Sequence, residues 1–377
     1  MEERSKEKKV EYLELIYDLI FVYIIGRNNS LLQNIENGFI PGGVFLAYVL
    51  GTLAVIQIWN FSTFYINLYG RNGVRDHVFL FLNMFLLYFM AGGTSVAWES
   101  SFYKYNIAWA LILINIGVQH LIEMTNHKNA PWEIKRIKTK AAIIFSEAAL
   151  VGVHIAVYAA SGVSTPYVPI IFGVCAMMIS GKKNALVPVD FAHLSERAML
   201  YVVFTFGEMI IALASYFKGN LTANTVYFSA MAFIIVAGLL LSYGIMYNRF
   251  IDREKTTDGT GYMLIHIFLI FALNNISASL GFMREEEVSL MPKTAFLVGS
   301  FVLFYVFLFL LGRYSKKQSG LSLRLILRLS AATVVFVCLM FLAREIMYLN
   351  IALSALYVFG VFLTLYFVSK KIPKTEI

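Results

Sequence analysis

Long apolar stretches alternate with short charged breaks along the whole chain. At 1.5 Å of rise per residue, an apolar run of about 17–25 residues crosses roughly 30 Å of hydrocarbon. Twelve runs fit: 12–30, 42–69, 76–97, 102–124, 139–160, 164–180, 197–217, 222–247, 261–282, 293–312, 323–342 and 346–369. The sixth is short, and the second is long enough to tilt. The first is interrupted by Asp18, preceded by Glu14 and followed by Arg27-Asn28-Asn29. An acid in mid-run argues against a cleaved leader. The pattern predicts an all-α integral membrane protein with about 12 transmembrane helices.

Charge then orients the helices. Numbering the loops alternately puts only Arg27, Lys104, Lys218, Arg284, Lys293 and Arg344 on one side, and all the other Lys and Arg of the 31 on the opposite side. Positive residues collect in the cytoplasm, so both termini are assigned there, in a multipass protein of the cell (cytoplasmic) membrane. The formal charge of +8 is thereby spread over seven short segments rather than one face, so nucleic acid is not an expected partner. With 59% hydrophobic and 14% charged residues the chain is far from a soluble composition, and the lipid bilayer is its expected surroundings. Cys175 and Cys338 lie in apolar runs and read as small buried hydrophobes.

No loop exceeds about twenty residues, too few for a soluble domain, so 1–377 reads as one polytopic membrane domain. The longest connections are 125–138, with Pro131-Trp132, and 181–196, with Pro188. The second divides the chain into six-helix halves, 1–180 and 190–377. Any repeat between them would be parallel, because both halves begin in the cytoplasm.

Ionisable residues deep in a helix bundle cost free energy and mark sites by default. Glu14 and Asp18 are one turn apart on the first helix, Glu147 and His154 share a face of the fifth, Glu208 lies near the centre of the seventh, and His266 precedes Asn274-Asn275 on the ninth. These are the candidates for binding a substrate or ion. Asp18 and Glu147 fall at similar depth and could line one cavity. A buried charge needs a cation or a proton, and Arg27 and the histidines are the nearest candidates; should the acids prove to be paired, Arg27 and Arg197 are the partners to test. Buried amides such as Gln57, Asn60, Asn83, Asn115 and Gln119 read as helix-to-helix hydrogen bonds. Two HxxE spacings, His120/Glu123 and His193/Glu196, could ligate a metal from one helix face, but they sit at helix ends where side chains reach water, and no metal is expected. Phosphate loops, nucleophile elbows and CxxC pairs are absent from the sequence, so no cofactor is expected.

Glu14-Leu15-Ile16-Tyr17-Asp18-Leu19-Ile20-Phe21-Val22 resembles the E-L-x-x-D-L-x-F-V signature of the bacterial low temperature requirement A family. His193-Leu194-Ser195-Glu196-Arg197, then Gly207-Glu208, is similar to its H-x-x-E-R and G-E segments. Arg27-Asn28-Asn29 departs from the milder polar stretch expected after the first helix. The resemblance implies a multipass inner-membrane protein with no settled activity. It raises Glu14, Asp18, Glu196, Arg197 and Glu208 above the other charged residues, with His193, Glu196 and Arg197 as a motif whose plain role is an interfacial ion pair.

The leading expectation is a transporter or permease-like protein, its polar cavity lined by carboxylates that bind protons or cations, with the small-molecule or ion substrate unspecified and a homo-oligomer compatible with the sequence. Two competitors stand beside it. One is an intramembrane enzyme acting on lipid with His154 or His266 and Glu147 as acid and base. The other is a non-catalytic membrane component needed for growth in the cold.

Overall fold

The computed structural model describes residues 8–93, 98–183, 189–214, 221–283, 285–316 and 321–371. Arg4, Lys6, Pro188, Lys218, Arg284, Lys317 and Lys374, which entered the sequence reading, lie outside these residues. The described residues form twelve α-helices and no strand. They are α1 (Tyr12–Asn29), α2 (Gly42–Tyr69), α3 (Val74–Gly92), α4 (Trp98–Glu123), α5 (Pro131–Ser161), α6 (Tyr167–Lys183), α7 (Phe191–Leu213), α8 (Ala223–Ile245), α9 (Thr260–Phe282), α10 (Leu290–Leu310), α11 (Leu323–Leu342) and α12 (Met347–Ser369).

Each apolar run overlaps one of these helices, and the two largest differences are at the starts of α5 and α7, eight and six residues earlier than expected. α5 starts at Pro131 rather than 139, because proline's fixed φ suits the first helical position and its missing N–H is no loss there. α7 starts at Phe191 rather than 197, because Asp190 caps it, its Oδ1 accepting from His193 N at 3.0 Å. The long connections read at 125–138 and 181–196 are therefore mostly helix. Charge had marked them as loop, yet the charges are paired: Arg136 bonds Glu133 one turn away and lies over the rings of Tyr69 and Trp132.

Two compact units make up the chain. One contains α1 to α6, α7 as far as Tyr201, and Thr256–Met263; the other contains Ile35–Pro41, the rest of α7, α8, and the chain from Leu264 through α12. In the first, α4 and α5 pack antiparallel, with Phe102 stacked on Tyr158 at 3.6 Å and Gly117 lying beneath the ring of Phe145. A ladder of hydrogen bonds crosses four helices: Tyr17 Oη to Ser62 Oγ at 2.8 Å, Asn83 Nδ2 to Tyr17 Oη at 3.4 Å and Asn115 Nδ2 to Asn83 Oδ1 at 2.8 Å. In the second, α8 lies against α12 through Gly238, and Phe336 of α11 stacks on Tyr357 of α12 at 4.1 Å.

The outer surface is apolar where a soluble protein's would be polar. Val78, Phe81, Phe85 and Tyr88 form one exposed stripe on α3, and Leu327, Val334, Val335 and Leu342 another on α11. Asn, Gln, Glu, Asp and His are found inside. Lipid is the solvent in which that arrangement is stable. Among the described residues nine helices are long and apolar enough to cross a bilayer; α1, α6 and α7 fall short, α6 by its length. Cys175 and Cys338 are exposed on this apolar surface, which corrects their reading as buried. An apolar neighbourhood in sequence does not distinguish a lipid face from a core.

A side chain at Gly238 would wedge α8 from α12, since its Cβ would fall 2.6 Å from Val358 Cγ1. Gly238→Leu is expected to destabilise the fold by about 1–3 kcal/mol, read as an earlier thermal transition in detergent, whereas Gly244→Ala, whose Cβ meets nothing within 4 Å, leaves it unchanged.

Candidate functional site

Among the described residues a densely bonded polar cluster forms where the first half of α1, the second half of α2 and the start of α7 meet. Arg197 of α7 is wholly buried and grips Asp18 of α1 with two donors, Nε to Oδ2 at 3.2 Å and Nη2 to Oδ1. Trp59 Nε1 of α2 adds a third bond to Asp18 Oδ1 at 2.7 Å. One turn before Asp18, Glu14 Oε2 lies 3.5 Å from Arg197 Nε and 3.2 Å from His193 Nε2. Such a pair is tolerated in a low-dielectric interior only when the geometry is good and the remaining lone pairs are filled, as those of Asp18 are.

The cluster continues outward through hydrogen bonds whose direction is fixed. Asn67 Oδ1 accepts from Asp190 N at 3.1 Å, so its Nδ2 is the donor to Asp190 O at 2.8 Å and to His193 Nδ1 at 3.1 Å. His193 therefore carries its hydrogen on Nε2, facing Glu14. Lys8 Nζ caps the carbonyl end of α2 at Ile66 O and Gly70 O, a favourable place for a cation. Burial lowers the pKa of Lys8, opposed by the charge of Glu14.

Asp18 and Glu147 are not brought together. Trp59, which holds Asp18, and Gln57, which holds Glu147, are two residues apart on α2 and so point about 200° apart around its axis. Glu147 is wholly buried and receives one hydrogen bond, from Gln57 Nε2 at 3.1 Å, while its Oε1 has no hydrogen-bond partner. Gly173 of α6 closes the third side: a Cβ there would lie 1.7 Å from Gln57 Nε2 and 2.1 Å from Glu147 Oε2. An adjacent cavity of about 390 Å³ has mostly apolar walls from α2, α4 and α6, and its lining ends at Ala54 and Ile170, one turn before Gln57 and Gly173.

The other candidates are dispersed. His154, seven residues beyond Glu147 on α5, accepts at Nδ1 from Thr165 N at 3.0 Å. In the second unit, Glu208 is half-buried, His266 Nε2 meets Tyr243 Oη at 3.0 Å, and Asn274 Nδ2 bonds back to Ile270 O at 2.9 Å. Glu196 is half-buried, and Arg197 turns from it to α1. His120 and Glu123, expected to reach water, are buried. Glu123 is held by Arg75 at 2.6 Å and Arg71 at 3.3 Å from the start of α3 and the turn before it, and His120 bonds to Ile116 O. The helix end is wrapped by the arginines, so the acid need not reach out. Trp59, Asn67, Lys8 and Gly173 carry these clusters without having been singled out. Only Trp59 gave a signal, as an indole two residues from Gln57 in an apolar run.

Neutralising Asp18 leaves the buried guanidinium with Glu14, at 3.5 Å, in place of the anion it grips with two donors. Asp18→Asn is expected to lower stability by about 3–5 kcal/mol, measured by denaturant or thermal unfolding in detergent. Adding Arg197→Met should recover part of that loss.

Comparison with known families agrees with the two motifs now seen to face each other. No curated protein matches the chain. Residues 9–365 match the family described as Bacterial low temperature requirement A protein (LtrA). That span covers α1 through nearly all of α12, and with its many membrane-type helices the chain is a multipass membrane protein that belongs to the bacterial low temperature requirement A family.

Proposed function

We propose that the protein is a secondary transporter of the cytoplasmic membrane in which Glu147 exchanges a proton or a cation. The observation that carries this reading is that, among the described residues, no basic side chain contacts Glu147, although it is wholly buried. A carboxylate inside a bundle needs a counter-charge, and an unpaired one costs several kcal/mol. For Asp18 the fold supplies Arg197. For Glu147 the counter-charge comes from outside, which is what a coupling site requires. The cavity that ends one turn from Gln57 and Gly173 supports access to it.

The reading includes twelve spans with both termini in the cytoplasm. α1 and α7 are too charged to count as spans by composition, but Glu14 and Asp18 of one meet Arg197 of the other, so each neutralises what the other brings into the bilayer. It also keeps the six-helix halves, 1–180 and 190–377, on either side of the connection before α7.

Two measurements test the reading. In proteoliposomes holding a pH-sensitive dye, an imposed gradient of sodium, potassium or an organic ammonium ion should change internal pH with wild-type protein and leave it unchanged with Glu147→Gln. Equal responses from the two, or none from wild type, would sink the transport reading. For topology, a cysteine replacing Lys135 in a background lacking Cys175 and Cys338 should react with an impermeant thiol reagent only from the cytoplasm, and one replacing Glu286 only from outside. Labelling from the opposite side at either position means a miscounted span.

A further inference from the structure

Of the nine helices long and apolar enough to cross a bilayer among the described residues, α11 is the least covered by the rest of the chain. Arg324, Arg328, Ala331, Val335, Cys338 and Leu342 follow one another on it at spacings of four and three, so they share one face, and each of them is exposed. The apolar part of that face is what lipid requires; the two arginines at its head are not. Neither guanidinium has a hydrogen bond or an ion pair among the described residues. Between Glu287 and Glu376 the sequence holds one acid, Glu345, which lies beyond the other end of α11, about 25–30 Å along its axis, beside Arg344. α10 and α12, the helices packed on α11, contain none. Asp252 and Glu254, on the loop bonded to Tyr314, come with Arg253 and Lys255.

We propose that this face binds a phospholipid of net negative charge, its phosphate held between Arg324 and Arg328 and an acyl chain laid along Ala331, Val335 and Cys338. Residues four apart on a helix have Cβ atoms about 5–6 Å apart, so the side chains of Arg324 and Arg328 reach one phosphate, whose oxygens match the paired donors of a guanidinium. From Arg328 to Cys338 the helix rises about 15 Å, half of the roughly 30 Å hydrocarbon core. A lipid of one leaflet therefore fits the face from headgroup to chain end. The neighbouring helix agrees. Bonds between Thr333 and Tyr357 at 2.8 Å and from Asn350 to Met340 at 2.9 Å fix an antiparallel register, which continued toward the start of α11 brings Arg324 level with Tyr366 of α12. Tyr366 and Phe367 are exposed there, and Lys370 Nζ lies 4.6 Å from the centre of the Tyr366 ring, the aromatic and basic company of a headgroup.

Charge decides among the occupants this face could take. Two guanidiniums without an acid leave a positive surplus, which a headgroup carrying its own ammonium cancels poorly and a glycerol headgroup, adding no cation, cancels well. A second copy of this chain does not suit the face. Copies in one membrane share an orientation, so a twofold contact through α11 would set Arg324 and Arg328 against their own counterparts, four guanidiniums with no acid. A soluble phosphate ester would use the arginines and leave the apolar face unused.

The site stands apart from the transport reading, since binding is measured without flux. Purified full-length protein in detergent is titrated with dioleoylphosphatidylglycerol and, in parallel, with dioleoylphosphatidylcholine, and bound lipid is counted by native mass spectrometry. Phosphatidylglycerol should be retained at concentrations where phosphatidylcholine is not. Arg324→Gln and Arg328→Gln should each weaken that binding about fivefold, while Arg324→Lys with Arg328→Lys, which keeps the charge, retains the preference. Arg344→Gln, beyond the other end of the helix, should change nothing. The arginines are exposed and unpaired, so the glutamine variants should melt at the wild-type temperature. Glycerol phosphate in excess should not displace the lipid. The proposal is overturned if the two lipids bind alike, if the glutamine variants hold phosphatidylglycerol as tightly as wild type, or if glycerol phosphate displaces it. It is equally overturned if Val335→Cys, in a background lacking Cys175 and Cys338, joins two copies by a disulfide in liposomes.

Discussion

The guanidinium of Arg197 stays charged at any pH a cell meets, so an apolar bundle can contain it only together with anions. That constraint organises one end of the first unit. Asp18 and Glu14 must be on α1 at the level of Arg197, and Trp59 must be on α2 to fill the remaining position on Asp18. His193 faces Glu14 and needs Asn67 to set its tautomer; Asn67 in turn holds Asp190, which caps the helix that carries Arg197. Hydrogen bonds and charge contacts thus run from Asp18 to Asp190, while Arg197 Nη1, Glu14 Oε2 and His193 Nε2 make no hydrogen bond. Loss of any member leaves a buried polar group exposed to hydrocarbon rather than to water, which is why the cluster reads as a clamp and not as a reservoir of exchangeable protons.

Glu147 presents the opposite arrangement with the same chemistry. It is buried as deeply as Asp18, yet an amide and a glycine surround it where Asp18 has a guanidinium and an indole. Gly173 keeps space that any other residue would fill. Two acids on opposite sides of α2 thus meet different neighbours, one ion-paired and one without a basic contact among the described residues, the difference on which the transport proposal rests.

Much of the helical plan was legible because the length of an apolar run is a local property, and every expected run overlaps a helix. The helix starts at Pro131 and Phe191 were missed because charges were read as solvent-facing, when Glu133–Arg136 and His193–Glu14 pairs fold them inward. Glu14 and Asp18 were visible as expensive residues and as motif matches, and Arg197 as a motif match. Their pairing was not, since Asp18 and Arg197 lie 179 positions apart and no spacing rule links them. Gly173 was invisible for a similar reason: its role depends on what α2 and α5 place against it. The exposed cysteines show the limit from the other side, because hydropathy alone measures dislike of water and says nothing about which neighbour is met.

The distance in sequence between Asp18 and Arg197 also sets an order of events during synthesis. At about 5–20 residues per second, the ribosome needs roughly 10–40 s to reach α7 after α1 has emerged. For that interval α1 carries two acids with no guanidinium to meet them. The final seating of the first helix is therefore a late step, completed only when the seventh helix arrives to take hold of it.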